Sequence, residues 1–211
     1  MKRTLFRRRF SFPSGLGSSG PVTLIYDTFT DTDGVTLQDH VIAPTNTPAA
    51  SWVDVKVLTS AGTPANSISG NQAILTVDHT GAVVDAGVAD CTLTCDWTPT
   101  VAADNRGYLL FRYSSDGNMW HVNLNHLAST LQLYEVVSNT LTQRGTVAQT
   151  FTEGVAYQIK VVLSGDDIEV FLDTVSKITY SSSLYNTATK HGIGFRSSDS
   201  GKFDNFKVET P

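Results

Sequence analysis

The carboxylates in the second half of the chain are the first candidates for chemistry. In the stretch DDIEVFLD, strand side chains would alternate between two faces, so Asp167, Glu169 and Asp173 would share one face. Glycoside hydrolysis requires two such carboxyl groups, about 5 to 9.5 Å apart. Phe171 interrupts the series, however, and the stretch begins in the turn-forming sequence SGDD. The pattern therefore favours a solvated polar strand face over a catalytic pair.

The histidines and serines form no motif that indicates nucleophilic catalysis or a metal site. The chain lacks the G-x-S-x-G sequence of a nucleophile elbow and the G-x-x-x-x-G-K-[ST] sequence of a phosphate-binding loop. His121 and His126 are five residues apart and would face opposite sides of a continuous strand. The five histidines are His40, His79, His121, His126 and His191. We therefore expect a non-enzymatic protein without a bound metal or cofactor.

One acidic stretch, DTDG at residues 31–34, resembles part of a calcium-binding loop. The rest of such a loop, with its later acidic ligands, is missing from the sequence. Asp side chains bond to nearby backbone amides and Gly accepts a positive φ, so a turn explains the stretch better. Calcium is the weaker alternative.

Aromatic and polar residues around a predicted hairpin are better candidates, for ligand binding. An exposed aromatic ring stacks on apolar ligand faces, and Asp and Asn side chains bond to hydroxyl groups. The possible glycan-binding residues are Tyr113, Asp116, Asn118 and Trp120, with Trp52 and Tyr134 as further aromatic candidates. The alternative for each ring is a place in the core of a β-sandwich.

The N-terminal segment differs in charge from the rest of the chain. The formal net charge is -5, but five basic residues precede the first acidic one, so the remainder carries a net charge of -10. Residues 1–20 are predicted to be a basic and aromatic arm ending in a Gly/Ser hinge, and residues 21–211 one domain. The expected partner-binding residues of the arm are Arg3, Phe6, Arg7, Arg8, Arg9, Phe10 and Phe12. Nucleic acid, an acidic protein surface and the chain's own domain are the partners left open, and a solvated tail is the alternative.

The two cysteines are predicted to lie in the core rather than to bond to each other. In ADCTLTCDW, Cys91 and Cys95 alternate with polar residues and share one face of a strand. Their Cα atoms would be about 13 Å apart, which is too far for a disulfide. The spacing also lacks the further Cys or His ligands of a zinc site.

Short alternating segments separated by turn residues predict an all-β protein. Two hairpins are the clearest, one over Asp116-Gly117 and one over Ser138-Asn139. Further strands are predicted at residues 22–30, 69–78, 81–87, 89–97, 155–163, 168–173, 177–180, 191–196 and 203–208, and residues 61–67 are predicted to be a loop. Roughly a dozen short strands indicate a sandwich or barrel. We expect the first and last strands to pair, which would shut the sheet and hide two edges.

Two terminal patterns resemble those of a known superfamily. The chain has D-x-F near its start, G-I-G-F-R followed by F-D-N-F-K-V at its end, and F-R-Y before a polar turn in the middle. Over residues 22–209 it resembles the concanavalin A-like lectin/glucanase superfamily, in its laminin-G-like branch. The resemblance implies a jelly roll of two packed antiparallel sheets, here with an extended N-terminal arm. Glucanases of the superfamily carry E-x-D-x-x-E or E-x-D-x-E on one strand, and the acidic stretch matches neither motif.

The terminal patterns and the basic arm together also resemble virion proteins of tailed bacteriophages. This resemblance implies a virion structural protein, such as a capsid decoration protein or a tail or fibre component, made in the host cytoplasm. The arm would bind other virion proteins, and the domain would be displayed as a homo-oligomer or in many copies, without a membrane. A carbohydrate-binding module for host-surface glycans is the alternative, and a glycoside hydrolase is a third hypothesis.

Overall fold

The computed structural model describes residues 20–42, 50–100, 106–196 and 201–211, which form two antiparallel β-sheets and no helix. Sheet I contains β1 (Thr23–Asp27), β3 (Asn66–Ile68), β4 (Ala73–Leu75), β6 (Cys91–Thr98), β11 (Tyr157–Ser164), β12 (Asp167–Leu172), β13 (Val175–Ser181) and β15 (Lys202–Glu209). Sheet II contains β2 (Val53–Lys56), β5 (Thr80–Asp85), β7 (Arg106–Ser115), β8 (Asn118–Asn125), β9 (Thr130–Val137), β10 (Thr140–Ala148) and β14 (Lys190–Phe195).

The strand order confirms the predicted two-sheet jelly roll. Sheet I has the order β13-β12-β11-β6-β15-β4-β3, with β1 also paired to β15, and sheet II has the order β10-β9-β8-β7-β14-β5-β2. Neighbouring strands are often distant in sequence, as in a Greek-key connection. Across the described ranges, no helix is long and apolar enough to cross a membrane.

The first and last strands pair as predicted, and β15 lies in the interior of sheet I. Ile25 is opposite Val208, and β15 also pairs with β6 along its other side. The short β1 covers only the second half of β15, and β4 pairs with the first half, where Phe203 is opposite Ala73. Both sides of β15 are therefore paired, but β15 is the one strand partner of β1 among the described residues, so the expectation that the pairing hides two edges was wrong for β1.

The core lies between the sheets and confirms the interpretation of the cysteines. Along β6 the residues alternate between buried and half-buried, and Cys91, Cys95 and Trp97 are fully buried. Both cysteines are free thiols. A row of small and large apolar side chains on one strand face is what a buried strand in a sandwich requires.

The predicted strand at residues 69–78 is the clearest error in the sequence analysis. The structure places a hairpin there, with β3 beginning inside the predicted loop and β4 following a turn. Gly70 and Asn71 have φ values of 61° and 56°, and the N–H of Ser69 donates to the carbonyl of Gln72. Two successive residues with positive φ are typical of a two-residue hairpin turn. The hairpins over Asp116-Gly117 and Ser138-Asn139 are confirmed.

Candidate functional site

Trp120 is the one residue of the predicted glycan-binding set that the structure removes from the surface. Its side chain is fully buried in the core between the sheets. Its indole N–H donates a hydrogen bond of 3.0 Å to the carbonyl of Leu184. A buried ring with a satisfied donor presents no face to a sugar, which corrects the expectation for this residue. Trp52 is also buried, and its indole N–H donates to Asp27 Oδ2 at 2.7 Å.

The other three residues of that set form a junction at the hairpin tip. Asp116 Oδ1 accepts hydrogen bonds from the Tyr113 hydroxyl and from the backbone N–H of Lys56. Asn118 Oδ1 accepts hydrogen bonds from the Ser138 N–H and the Tyr185 hydroxyl, both at 3.0 Å. These polar groups therefore join the β7–β8 tip to the end of β2 and to the loops that contain Ser138 and Tyr185.

Polar side chains form a row on the outer face of sheet II, and the side chains at the centre of this row are buried from solvent. The side-chain amide of Asn123 donates to Gln132, and that of Gln132 donates to Gln143. His121 is fully buried between two rings, 4.5 Å from that of Tyr108 and 5.3 Å from that of Tyr134. Neither ring nitrogen of His121 has a hydrogen-bond partner among the described residues. Burial, with a smaller effect of His79, lowers the pKa of His121 to about 3.

Replacing His121 with phenylalanine is expected to make the protein more resistant to acid. Because the folded pKa lies below the unfolded value of about 6.5, protonation of this residue favours unfolding, and stability is lost as pH falls below that value. In the His121→Phe variant, the part of the stability loss that comes from protonation of His121 is absent. The free energy of unfolding, measured by urea denaturation at intervals from pH 7 to pH 4, should fall less steeply than in the unmodified protein. Equal slopes would show that His121 is not a buried neutral group.

A cysteine and a histidine also meet in the core, but they cannot act as a nucleophilic pair in this state. Cys91 Sγ lies 3.6 Å from His191 Nε2, which also lies 3.0 Å from the carbonyl of Val88. Burial raises the pKa of Cys91 to about 12 and lowers the pKa of His191 to about 4. A reactive cysteine needs a lowered pKa and solvent access. Here the environment favours the neutral thiol.

The acidic stretch of β12 lines a depression of about 490 Å³ together with β13. Asp167, Glu169, Thr179 and Ser181 line it, and we call it the Glu169 depression. Glu169 accepts a hydrogen bond of 2.6 Å from the Ser176 hydroxyl. Asp173 does not belong to this face, because β12 ends at Leu172 and Asp173 has a φ of 46°. Its carboxylate accepts a hydrogen bond from the N–H of Gln158 instead.

A second depression, of about 520 Å³, opens on the same outer face of sheet I. Its lining residues come from four adjacent strands and are Thr23, Tyr26, Thr94, Asp96, Gln158, Asn205 and Lys207. Tyr26 is 43% exposed, because alternation along β1 turns its neighbours Ile25 and Asp27 inward. We call this site the Tyr26 depression. It combines an accessible aromatic ring with carboxylate, amide, ammonium and hydroxyl groups.

A β-bulge places the amide of Asn205 between the ring and the carboxylate. The register between β15 and β6 shifts between Asp204 and Lys207, and Asn205 has a φ of 51°. The Tyr26 hydroxyl donates to Asn205 Oδ1 at 3.1 Å, and Asn205 Nδ2 donates to Asp96 Oδ2 at 2.9 Å. Bulges often redirect a side chain beside a functional site. The three side chains are therefore held in one arrangement before any ligand arrives.

Charges of both signs surround the Tyr26 depression. Lys207 Nζ lies 2.9 Å from Glu209 Oε2, and the Thr23 hydroxyl donates to the other oxygen of that carboxylate. Asp204 is directly opposite Asp96 across the strand pair. Burial raises the pKa of Asp204, and the charge of Asp96 raises it further. The depression thus offers hydrogen-bond donors and acceptors without an excess of positive charge.

The two segments that contain Tyr26 and Asn205 indicated a fold in the sequence, but they did not indicate a binding site. Tyr26 lies in LIYDTF and Asn205 in FDNF, the two motifs on which the resemblance rested. The exposed position of Tyr26 follows from alternation, since Ile25 and Phe29 are apolar and Tyr26 lies out of phase with them. Only the pairing of β1, β15 and β6 brings Tyr26, Asn205 and Asp96 together.

Two further expectations concern calcium and the arm. In the DTDG turn, the Asp31 carboxylate accepts hydrogen bonds from His40 and from the N–H of Thr32, and Asp33 accepts one from Gly70. Within the described ranges, no three His, Cys, Asp or Glu residues are grouped so that they could hold a metal ion. The partner-binding residues predicted in the arm lie outside the described residues, and their role stays a prediction.

Comparison with known proteins shows a fold but no family. No protein-family model and no curated protein matches the chain. Domain 4 of AbnA, a GH43 extracellular arabinanase from Geobacillus stearothermophilus solved in complex with arabinotriose, is 11% identical, with a TM-score of 0.52 over 90% of this chain and 93% of that one. A congerin II single mutant is 14% identical, with a TM-score of 0.50 over 61% of this chain and 98% of that one. The carbohydrate-binding module CBM66 from Bacillus subtilis is 15% identical, with a TM-score of 0.47 over 75% and 91%. At these identities the likeness shows a lectin-like jelly-roll fold alone.

Proposed function

We propose that this protein binds carbohydrate through the Tyr26 depression on the outer face of sheet I. The observation that carries the proposal is the exposed ring of Tyr26, held by Asn205 beside the Asp96 carboxylate. An aromatic ring next to fixed donors and acceptors suits a sugar, which has an apolar ring face and polar hydroxyl groups. The depression is polar and open, which also suits a hydrophilic ligand.

The hydrogen-bonding inventory of the site matches a polyhydroxylated ligand. Carboxylate oxygens accept hydrogen bonds from hydroxyl groups, and the Lys207 ammonium donates them. Asp96 Oδ2 already accepts from Asn205, which fixes the carboxylate while leaving further acceptor sites on it. Groups that are ordered before binding lose less conformational entropy when a ligand arrives. This order supports binding by a shallow site.

Binding without catalysis is part of the proposal. A catalytic pair of carboxylates would need one group with a raised pKa that faces the other across a cleft. Asp204 has a raised pKa, but it is directly opposite Asp96 on the next strand of the same sheet, not across a cleft. Its carboxylate also accepts a hydrogen bond of 2.7 Å from the N–H of Asn205. This arrangement supports a structural role for Asp204 at the bulge.

The predicted virion location and assembly role are separate from this binding site. They rest on the resemblance of the terminal patterns, on the charge difference between residues 1–20 and the rest of the chain, and on the missing catalytic motif. Glycan binding by the domain and anchoring by the arm would be compatible in one protein. The virion role stays a prediction.

The Tyr26→Ala variant tests the proposed site. Loss of the stacking surface and of the hydroxyl that holds Asn205 should weaken glycan binding about tenfold or more. The measurement is isothermal titration calorimetry with a glycan selected on a glycan array. Leu127→Ala, at a 62% exposed position in the turn between β8 and β9, serves as a matched surface control and should bind as the unmodified protein does. Unchanged affinity in Tyr26→Ala would contradict the proposed site.

A further inference from the structure

A single row of outward side chains crosses sheet I from the Tyr26 depression to the Glu169 depression. Tyr26 is opposite Lys207, and Lys207 is opposite Thr94. Thr94 is opposite Lys160, and Lys160 is opposite Phe171. Directly opposite residues of antiparallel strands share a face, so the five side chains form one line. The line runs across the strands and has an aromatic ring at each end.

The length of the row exceeds that of a single sugar. Five adjacent strands span four strand spacings of about 4.8 Å, so the backbone at Tyr26 and Phe171 is about 19 Å apart. A pyranose or furanose unit of a linear glycan is about as long as one strand spacing, about 5 Å. A chain of about four rings would therefore extend from one aromatic residue to the other.

The end of the row at Phe171 is next to the Glu169 depression on the same outer face of sheet I. Phe171 is the last residue of the row, two residues along β12 from Glu169, and Glu169 is opposite Thr179 of β13. Lys160 Nζ lies 3.8 Å from the centroid of the Phe171 ring, which holds the ring and the ammonium together by a cation–π interaction. Both depressions thus have an aromatic residue, a carboxylate and hydroxyl groups at or beside them.

We propose that the ligand of this face is a neutral linear oligosaccharide of at least about four rings, laid across the strands from Tyr26 to Phe171. This inference rests on the proposed function and specifies its substrate class. A terminal monosaccharide would use only the Tyr26 depression. A chain uses both ends of the row, which explains why two depressions and two aromatic residues occur on one face.

The charge of the face favours a neutral glycan over an acidic one. The row contains two lysines, Lys160 and Lys207, and Lys207 is paired with Glu209. Asp96, Glu169 and Glu209 lie beside the row on the same face. Acidic groups therefore outnumber basic ones along the path of the ligand, and repulsion would oppose uronic or sialic acid units.

Chain-length dependence of binding tests the inference. Linear cello-, manno-, xylo- and arabino-oligosaccharides with one to six rings are titrated into the full-length protein by calorimetry. Affinity for the series that binds is expected to rise about tenfold or more between two and four or five rings and then to level off. In Phe171→Ala this rise should be lost, while affinity for the two-ring ligand stays within about twofold. In Tyr26→Ala, affinity should fall for every length.

The outcomes distinguish the inference from the proposed function. If one ring binds as tightly as six and binding still depends on Tyr26, the oligosaccharide inference is overturned and the proposed function stands. The same holds if Phe171→Ala keeps the full length dependence. If no glycan binds in a manner that depends on Tyr26, both fail. Thermal unfolding of Phe171→Ala and of a second variant, Lys160→Ala, verifies that each is folded. Lys160→Ala is also expected to reduce the rise in affinity between two and four or five rings.

Discussion

Replacing Gly192 with alanine is expected to lower the free energy of unfolding by at least about 3 kcal/mol, a large part of the roughly 5 to 15 kcal/mol by which a native domain is stable. Gly192 lies in the interior of sheet II, opposite Val83 of β5 and Leu110 of β7. A Cβ atom there would overlap the carbonyl oxygen of Ala82 and lie 2.7 Å from the Cα atom of Val83. These obstacles are backbone atoms of a paired strand, so no side-chain rotation relieves them. To relieve the overlap, β14 would have to separate from β5 or bend away from it.

Urea denaturation monitored by tryptophan fluorescence would measure the effect. Gly20→Ala is the matched control, because a Cβ atom at Gly20 would meet no atom within 4 Å. The control should unfold within about 0.5 kcal/mol of the unmodified protein. A Gly192→Ala variant as stable as this control would contradict the close pairing of β14 and β5. Gly81, on the facing strand, has a similarly close backbone neighbour and is expected to be comparably intolerant.

Replacing Asp27 with alanine is expected to destabilise the fold by about 3 to 5 kcal/mol. The buried carboxylate of Asp27 accepts hydrogen bonds from three directions, from the Trp52 indole, from the N–H of Phe29 and from the His40 ring. His40 also bonds through its other nitrogen to Asp31, at 2.9 Å. Removing Asp27 leaves the indole, the backbone N–H and one side of a buried imidazole without an acceptor. An unpaired buried donor retains the full cost of its desolvation.

The pH dependence of stability identifies the His40 part of this loss. Burial alone would lower the pKa of His40, but the hydrogen bonds and charges of Asp31 and Asp27 outweigh it and raise the pKa above its usual value. The stabilisation by His40 is therefore fully present below the unfolded pKa of about 6.5 and is lost as pH rises through the folded pKa. In Asp27→Ala this loss of stability, as pH rises above the unfolded pKa of about 6.5, should become smaller.

The measurement is the free energy of unfolding at several pH values for the unmodified protein, Asp27→Ala and a control. Asp78→Ala is a suitable control, because the Asp78 side chain is 61% exposed and its contact with the His79 ring is long, at 3.8 Å. Such a surface contact contributes about 0 to 1 kcal/mol. If Asp27→Ala were as stable as Asp78→Ala, the carboxylate could not be the centre of a buried hydrogen-bond cluster.

Alternation within single segments made several elements predictable. The buried face of Cys91 and Cys95 and the hairpins over Asp116-Gly117 and Ser138-Asn139 follow from side-chain period and turn chemistry, which are local properties. The hairpin at Gly70-Asn71 was missed because β3 and β4 have only three residues each, too few for a period to stand out. The inserted residue at Asn205 was missed because a bulge is defined against a partner strand.

The aromatic residues also show that local properties were predictable from the sequence and that properties set by distant segments were not. Trp120 and Tyr26 both lie in alternating strands rich in apolar residues, but only Trp120, which is beside a polar hairpin tip, was predicted to bind a ligand. Both faces of β8 are buried, so alternation along that strand does not identify an outward position. Burial of the second face depends on what the rest of the chain places over it.

The all-β sandwich, the buried thiols and the two hairpins were predictable from the sequence, because they depend on residue period, turn residues and the apolar character of short segments. Which side chains share the candidate site depends on strand order and register, which are properties of the tertiary structure. Tyr26, Asp96 and Asn205 are far apart in the chain and meet only because β15 lies between β1 and β6 with one extra residue. Strand order and register arise from packing of the two sheets against each other, and no single segment contains that information.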